Sequence, residues 1–140
     1  MTMWSFCCQK REEVEVKEMQ RTLMKSKIHR ARVTGAFLDY EGSLSLDTCL
    51  LRAADILPYE RVEVYNVFSG ARFATYAIPA PEGSGEVAVN GAAARLACPG
   101  DLLIIVTYAV LGKEELLDFR PKVVFVDEKN SPREKGQHLG

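Results

Sequence analysis

The sequence predicts a mainly β fold built as one domain. Its apolar residues fall in short runs rich in Val, Ile, Tyr, Phe and Thr, and glycine or proline separates many of these runs. A chain of 140 residues with 47% hydrophobic content is long enough to bury one core, and a second domain is not expected. Because closing a sheet removes its exposed edges, many short strands with few helices favour a closed or sandwiched body.

The first predicted strand covers residues 27–34, where the side chains alternate between two faces. One face is predicted to carry Lys27, His29, Ala31 and Val33. The opposite face is predicted to carry Ile28, Arg30, Arg32 and Thr34. The side chains of Lys27 and His29 are therefore expected to point the same way.

The next segment predicts a turn followed by a short helix. Gly42 interrupts the strand pattern, and Asp47 can cap a helix that runs to Ala54, because its carboxylate can accept from the first free N–H groups. Pro58 follows as a stop. The apolar stripe of this helix consists of Leu50, Leu51 and Ala54.

The second half of the chain predicts a hairpin and three more strands. The hairpin joins residues 61–68 to residues 72–78 through a Ser-Gly-Ala turn. Arg72 and Tyr76 share one face of its second strand, and Thr75 lies on the other. The later strands are predicted at residues 86–90, 101–110 and 122–127. The connections are predicted as a loop at residues 79–85, a turn at Gly91 and one or two helical turns at residues 113–119.

Both ends are predicted to lie outside a folded domain of residues 19–130. Residues 1–18 lack the basic start and long apolar centre of a secretory signal, and the charged part from Lys10 to Glu18 should be solvated, so we expect a flexible extension. The polar character from residue 128 onwards predicts fraying, with a disordered tail at residues 131–140.

Charge and cysteine content argue against several classes of partner. A net charge of −1 with dispersed Lys and Arg disfavours nucleic-acid binding. The longest apolar run, residues 102–110, is too short to span a bilayer, so no membrane partner is expected. No metal site is expected, and free thiols in a reducing cytoplasm are predicted, because zinc-site spacing is lacking among Cys7, Cys8, Cys49 and Cys98.

The chemical signal comes from four segments in a fixed order. A Gly42-Ser43 pair on its own predicts only a surface turn. Here it stands inside Tyr-Glu-Gly-Ser-Leu-Ser-Leu-Asp at residues 40–47, after Lys-Ile-His-Arg at 27–30. Arg-Phe-Ala-Thr-Tyr-Ala-Ile at 72–78 and Val-Asn-Gly-Ala-Ala-Ala at 89–94 follow. Together these segments resemble the bacterial aspartate 1-decarboxylase family, pyruvoyl-dependent enzymes that make β-alanine for pantothenate biosynthesis. The resemblance covers about residues 19–130. Because chains of that family usually start near the position of Met19, it implies that residues 1–18 are either an upstream-start artefact or a species-specific arm.

The resemblance implies a double-psi β-barrel, a homotetramer and active sites between neighbouring subunits. It also implies self-cleavage, in which the Ser43 hydroxyl attacks the Gly42 carbonyl and position 43 ends as a covalent pyruvoyl group. Gly42 suits this step because glycine tolerates a distorted backbone. The resemblance assigns Thr75 to the oxyanion and Asn90 to holding the processing site. Whether a maturation factor assists stays open.

For turnover, the resemblance implies L-aspartate as the substrate, a Schiff base between its amine and position 43, and Tyr76 as the proton donor. Arg72 is expected on the carboxylate that the product keeps, because a cation on the leaving carboxylate would stabilise the ground state more than the transition state. The other implied substrate contacts are Lys27, His29, Thr75, Gly91, Ala92 and Ala93.

Two alternatives stay open at this point. One is a non-enzymatic double-psi barrel that serves as a binding module and keeps the Gly42–Ser43 bond. The other is a pyruvoyl decarboxylase for a different amino acid such as glutamate, since Arg72 fixes a carboxylate without setting the pocket depth. Two mild departures from the family pattern are Tyr65, where some relatives have Trp, and Arg95, where many have His.

Overall fold

The computed structural model describes residues 19–134, which form a mainly β fold, as predicted. The strands are β1 (Arg21–Arg32), β2 (Gly35–Phe37), β3 (Ser43–Asp47), β4 (Arg61–Asn66), β5 (Arg72–Ala80), β6 (Val87–Asn90), β7 (Leu102–Leu111), β8 (Lys122–Val126) and β9 (Pro132–Arg133). The helices are α1 (Thr48–Ala53) and two 3-10 helices, η1 (Gly91–Arg95) and η2 (Glu115–Leu117). The predicted extension at residues 1–18 and the end of the predicted tail, residues 135–140, lie outside the described residues.

The strands described form one sheet in the order β2-β6-β3-β5-β4-β7-β1-β8-β9. Neighbours are antiparallel except in the pairs β1 with β8, β2 with β6 and β3 with β5. Parallel neighbours require crossover connections, so the chain weaves through the sheet instead of following a simple meander. This arrangement is compatible with the double-psi barrel that the resemblance implies.

The core lies on one face of the sheet, and the other face carries polar and aromatic side chains. Burial alternates along β4, where Val62 and Val64 are buried while Arg61, Glu63 and Tyr65 are not. We call the side with these three residues the outer face. The core includes Ile28, Leu44, Leu46, Leu50, Val62, Val64, Val87, Val89, Leu103 and Ile105.

The predicted hairpin is confirmed. β4 and β5 pair antiparallel, so that Arg72 stands opposite Tyr65 and Tyr76 stands opposite Arg61 on the outer face. Thr75 stands opposite buried Val62 and therefore belongs to the inner side of β5. The expectation that Arg72 and Tyr76 share one face and Thr75 takes the other holds.

Strand β1 departs from the predicted alternation. Its pairing with β7 shifts register between Ile28 and Ala31, and Arg30 adopts a φ of 63° there. This irregularity returns Ala31 to the same buried side as Ile28. The predicted shared face is therefore wrong in its second half, because Ala31 and Val33 are buried in the core. The half-buried residues that stay together on the other side are Lys27 and His29.

Other corrections concern segments whose partners lie far away in the sequence. β2 and β3 are strands that the sequence pattern did not predict. β5 extends through Pro79 and Ala80, which were predicted to be loop. The fraying expected from residue 128 is wrong for residues 128–133, because β9 pairs with β8. Asn130 is buried, accepts from the Arg32 N–H at 2.8 Å and donates to the carbonyls of Arg32 and Gly85.

Asp47 caps α1, as predicted, and also holds the loop before β6. Its carboxylate accepts from the N–H groups of Cys49 at 2.8 Å, Gly83 at 3.1 Å and Gly85 at 2.8 Å. The residue is only 2% exposed. Burial raises the pKa of Asp47, but these backbone donors outweigh it and hold the pKa below its ordinary value.

We expect Asp47→Asn to lower the free energy of unfolding at pH 7 by about 1–3 kcal/mol, because charge-assisted hydrogen bonds are lost. The folded pKa is lowered, so the stabilisation is present above the unfolded pKa of about 3.9 and is lost as the pH falls through the folded value. Urea unfolding between pH 7 and pH 3 measures the difference in the free energy of unfolding between wild type and variant. This difference should become smaller as the pH falls. The exposed Asp118→Asn is the control. A difference in the free energy of unfolding that is the same at every pH would contradict a stabilising role for the ionised Asp47 carboxylate.

Candidate active site

Ser43 is the first residue of β3 and pairs with Asn90 of β6. Its side chain is buried, with 2% of the residue exposed. The Asn90 amide donates to the Ser43 hydroxyl at 2.9 Å and to the Ser45 hydroxyl at 3.0 Å. One buried amide therefore fixes the positions of two hydroxyl oxygens on the same face of β3.

The Ser43 hydroxyl is held firmly as an acceptor and only weakly as a donor. It donates to the Glu41 carbonyl at 3.5 Å. Hydrogen bonds between two oxygens are ordinarily about 2.5–3.0 Å long, so this contact is weak. Asn90 therefore orients the Ser43 oxygen, whereas the weak hydrogen bond to the Glu41 carbonyl constrains the hydroxyl proton little.

The turn before Ser43 rests on the backbone of Gly91. Gly91 has a φ of +70°, and a Cβ added there would stand 2.7 Å from the Gly42 Cα and 3.0 Å from the Tyr40 carbonyl oxygen. A Cβ at Gly42 would meet no atom within 4 Å, and the φ of Gly42 is not positive. In the continuous chain Gly42 thus has open space and no positive φ, and the expectation that glycine suits the cleavage step stays a prediction. The requirement for glycine lies at residue 91.

A pocket of about 150 Å³ opens beside Gly42. Its walls are Gly42, Phe73, Ala74, Thr75, Asn90, Ala92, Ala93 and Leu96. The fold thus gathers five of the predicted site residues around one small space, namely Gly42, Thr75, Asn90, Ala92 and Ala93. The pocket brings Thr75, which carries a hydroxyl, to the same space as the backbone of Gly42.

Tyr76 lies next to Thr75 in the chain but on the other side of β5. The β3–β5 pairing matches Leu44 with Ala77, and continuing it by one residue sets Ser43 beside Tyr76. Tyr76 is 36% exposed, and its ring stacks on the ring of Tyr59 with the centroids 6.2 Å apart. Ser43 therefore starts its strand beside the outer Tyr76, while Gly42, the residue before it, shares the pocket with Thr75.

Neither Lys27 nor His29 lines the pocket beside Gly42. Lys27 lies on β1, three strands away from β5. The pairing connects it to β5 through Val106, Glu63 and Ala74. With neighbouring strands about 4.8 Å apart, the separation is about 14 Å along the sheet. Two strands of the sheet, β4 and β7, therefore separate Lys27 from β5 of the same chain.

Three side chains near the site were missed by the sequence reasoning. Ser45 follows Ser43 at the spacing that repeats a strand face, so the alternation could have indicated it. Tyr59 stacks on Tyr76, and the hydroxyl of Tyr108 lies 2.9 Å from that of Tyr65. These two contacts join residues from different strands or loops, and no local pattern signals them.

Among residues 19–134, no group of three or more His, Cys, Asp or Glu residues is arranged to hold a metal ion. The two cysteines in this range, Cys49 and Cys98, are free thiols. Within the same range, every helix is too short or too polar to cross a membrane.

Comparison with known proteins gives a consistent match. Residues 19–133 match the family model of aspartate decarboxylase. The chain is 59% identical over 118 residues to the aspartate 1-decarboxylase of Syntrophobacter fumaroxidans, covering 84% of this chain and 95% of the relative. It is 54% identical to that of Methylobacillus flagellatus, covering 86% and 96% of the two chains. It is 56% identical to that of Thermoanaerobacter pseudethanolicus, covering 81% and 97%.

We expect Gly91→Ala to disturb the turn at Gly42 and to destabilise the protein by more than its positive φ alone explains. The left-handed conformation costs a residue with a Cβ about 1–2 kcal/mol, and the contact with Gly42 adds to this cost. Gly70→Ala is the matched control, because Gly70 has a φ of +77° with open space around it. Thermal unfolding of both variants measures the difference. Equal decreases in thermal stability would mean that the backbone of Tyr40 and Gly42 moves to accommodate the added methyl group.

Proposed function

The chain belongs to the aspartate decarboxylase family, and we propose that it cuts itself at Gly42–Ser43 and uses the resulting pyruvoyl group to convert L-aspartate to β-alanine and CO₂. Carboxy-lyase activity and the supply of β-alanine for pantothenate biosynthesis follow from the family. The observation that carries the proposal is the buried Ser43 hydroxyl, which Asn90 holds at the first residue of β3 beside Gly42.

The residues around position 43 fit a pyruvoyl group made from Ser43. The group needs a serine with an oriented hydroxyl and close backbone packing on the preceding residue, and Asn90 and Gly91 supply these. Its ketone, when formed, supplies the electron sink that decarboxylation requires and that ordinary side chains lack.

In the proposed cleavage, the Ser43 Oγ attacks the Gly42 carbonyl carbon and the peptide bond becomes an ester. Negative charge develops on the Gly42 carbonyl oxygen, and Thr75 in the adjoining pocket is the proposed donor to it. Single donors of this kind have contributed about 2.7–4 kcal/mol to other enzymes. Loss of the Ser43 Cα proton then breaks the Cβ–O bond and frees the Gly42 carboxylate. Addition of water and release of ammonia leave the ketone at position 43.

During turnover, Tyr76 is the proposed donor of the proton that replaces CO₂ on the substrate carbon. The strand pairing supports this, because Tyr76 falls beside position 43 on the outer side of β5. A tyrosine hydroxyl carries its proton at neutral pH, as an acid must. Stacking on Tyr59 restricts the plane of the Tyr76 ring.

Arg72 is the proposed partner of the carboxylate that becomes part of β-alanine. It shares the outer face of β5 with Tyr76, two pleats away. A guanidinium can grip a carboxylate with two parallel hydrogen bonds and so fix its position. Gly91, Ala92 and Ala93 complete the proposed substrate contacts, since small residues allow a ligand to approach the backbone.

Assembly is the next part of the proposal. The separation of about 14 Å between Lys27 and β5 supports a site in which a neighbouring subunit contributes Lys27 and His29. Exposed apolar side chains on the same sheet, among them Tyr108, Val110 and Val123, support a covered surface. We propose a homotetramer with sites between subunits. Light scattering on active protein tests it, and an active monomer would contradict it.

The proposed location is the cytoplasm, since free Cys49 and Cys98 suit a reducing compartment. Addition of cell extract during maturation tests whether a maturation factor assists cleavage.

We expect purified wild-type protein, incubated warm, to yield two chains, residues 1–42 and 43–140, with the second lacking ammonia relative to a serine start. Ser43→Ala should stay one chain because the attacking oxygen is gone. Thr75→Val should accumulate uncleaved precursor because the oxyanion loses its donor. Thr22→Val, at the exposed start of β1, makes the same change away from the site and should mature normally. Intact mass measures all four. Inactive, full-length wild type even after addition of cell extract would instead support the non-enzymatic binding module.

Tyr76→Phe should mature normally and then release β-alanine slowly. Losing a positioned proton donor typically costs about 10²–10⁴-fold in rate. The measurement is β-alanine formation by protein whose complete cleavage has been checked by mass. Turnover at the wild-type rate would assign the proton to another group. A comparison of L-aspartate with L-glutamate in the same assay tests the substrate.

A further inference from the structure

Arg72 is held on the outer face by an aromatic ring. Its Cζ atom lies 4.2 Å from the centroid of the Tyr65 ring, within the range of a cation–π contact. The two residues are direct partners in the β4–β5 pairing, so the strands themselves bring the guanidinium over the ring. The orientation of the ring therefore sets the plane in which Arg72 presents its N–H groups.

The far end of the Tyr65 ring is fixed in turn. Its hydroxyl lies 2.9 Å from the hydroxyl of Tyr108 on β7, and either oxygen can be the donor. Tyr65 pairs with Ile104, so Tyr108 stands four residues further along β7. The two side chains thus reach towards each other along the surface of the sheet and meet at their ends. A ring tied at both ends has fewer orientations than one anchored only at its Cβ.

This hydrogen bond persists through the neutral pH range. The bond to Tyr108 raises the pKa of Tyr65 to about 12, and burial adds to the effect. Tyr65 therefore keeps its proton, and the pair retains the proton that the bond requires.

We propose that Tyr108 is a positioning residue for substrate binding, which acts through the Tyr65 ring to set the plane of the Arg72 guanidinium. This inference rests on the proposed function, in which Arg72 binds the carboxylate that the product keeps. A two-point grip on a planar carboxylate depends on the orientation of the guanidinium, and restricting it beforehand lowers the entropy cost of binding. The retained carboxylate is bound in both the ground state and the transition state. The effect should therefore fall on KM and leave kcat nearly unchanged.

The test uses Tyr108→Phe, Tyr65→Phe and the double variant, each fully cleaved by intact mass. Phenylalanine keeps the ring and removes only the hydroxyl. Each single variant should raise the KM for L-aspartate by about 2- to 10-fold, the effect of one neutral hydrogen bond, with kcat within about twofold of wild type. The double variant should be no worse than either single one, because the same bond is lost once. Val67→Thr, a change of similar shape at an exposed residue between β4 and β5, should change neither constant.

Calorimetric binding of succinate gives a second measurement that does not depend on catalysis. Succinate carries two carboxylates but no amine, so its Kd reports the carboxylate grip without the covalent step. Tyr108→Phe should raise this Kd by about the same factor as the KM. Unchanged KM and Kd, a loss confined to kcat, or fully additive effects of the two single variants would overturn the role of Tyr108.

Arg72→Gln separates a failure of this inference from a failure of the proposed function. If Arg72→Gln raises the KM strongly while Tyr108→Phe has no effect, Arg72 binds substrate without help from Tyr108, and only the present inference falls. If Arg72→Gln leaves both KM and the succinate Kd unchanged, the assignment of Arg72 falls and the role of Tyr108 falls with it. The expected result is a large effect for Arg72→Gln and a smaller one in the same direction for Tyr108→Phe.

Discussion

The arrangement around position 43 depends on one buried amide. Asn90 donates to the hydroxyls of Ser43 and Ser45, and all three residues are buried between β3 and β6. A polar group in such a place destabilises the fold unless it finds its partner, so this part of the sheet is satisfied in one register only. The same two bonds that hold the strands in register therefore also aim the Ser43 oxygen. Stability of the fold and orientation of the proposed nucleophile have a single physical cause.

Strand β5 divides the proposed chemistry between its two sides. Successive residues of a strand point to opposite faces, so Thr75 enters the pocket beside Gly42 while Tyr76 and Arg72 stand on the outer face. Continuing the β3–β5 pairing places Ser43, the first residue of β3, beside Tyr76, and Gly42 lines the pocket with Thr75. In the proposed mechanism, maturation and turnover thus use adjacent residues on opposite sides of one strand.

Features with local signals could be predicted from the sequence. The cap at Asp47, the β4–β5 hairpin and the separation of Thr75 from Tyr76 follow from short patterns and the period of a strand. Features that depend on a distant partner could not. The irregularity at Arg30 arises from pairing with β7, and Asn130 is buried because β1 and Gly85 offer it hydrogen bonds.

The two glycines of the site show the same limit. Gly42 and Gly91 both look like turn residues in the sequence, and the proposed self-cleavage involves the first. Packing distances assign the steric requirement to the second, since only there would a Cβ strike another backbone. The family resemblance supplied the identities of the site residues, whereas the distances between Lys27 and β5 needed the sheet order.

The position of the proposed cleavage site within the sheet has a consequence for the cleaved protein. In the described part of the shorter fragment, from residue 19 on, both strands are paired with the longer one: β1 lies between β7 and β8, and β2 lies against β6. A cut at Gly42–Ser43 therefore leaves two polypeptides that share one sheet, and neither can depart without opening it. Once separated by unfolding, however, the pieces would have to find each other by diffusion. Cleavage thus converts a unimolecular folding reaction into an association whose equilibrium depends on concentration, and the precursor is the form in which this fold assembles most readily.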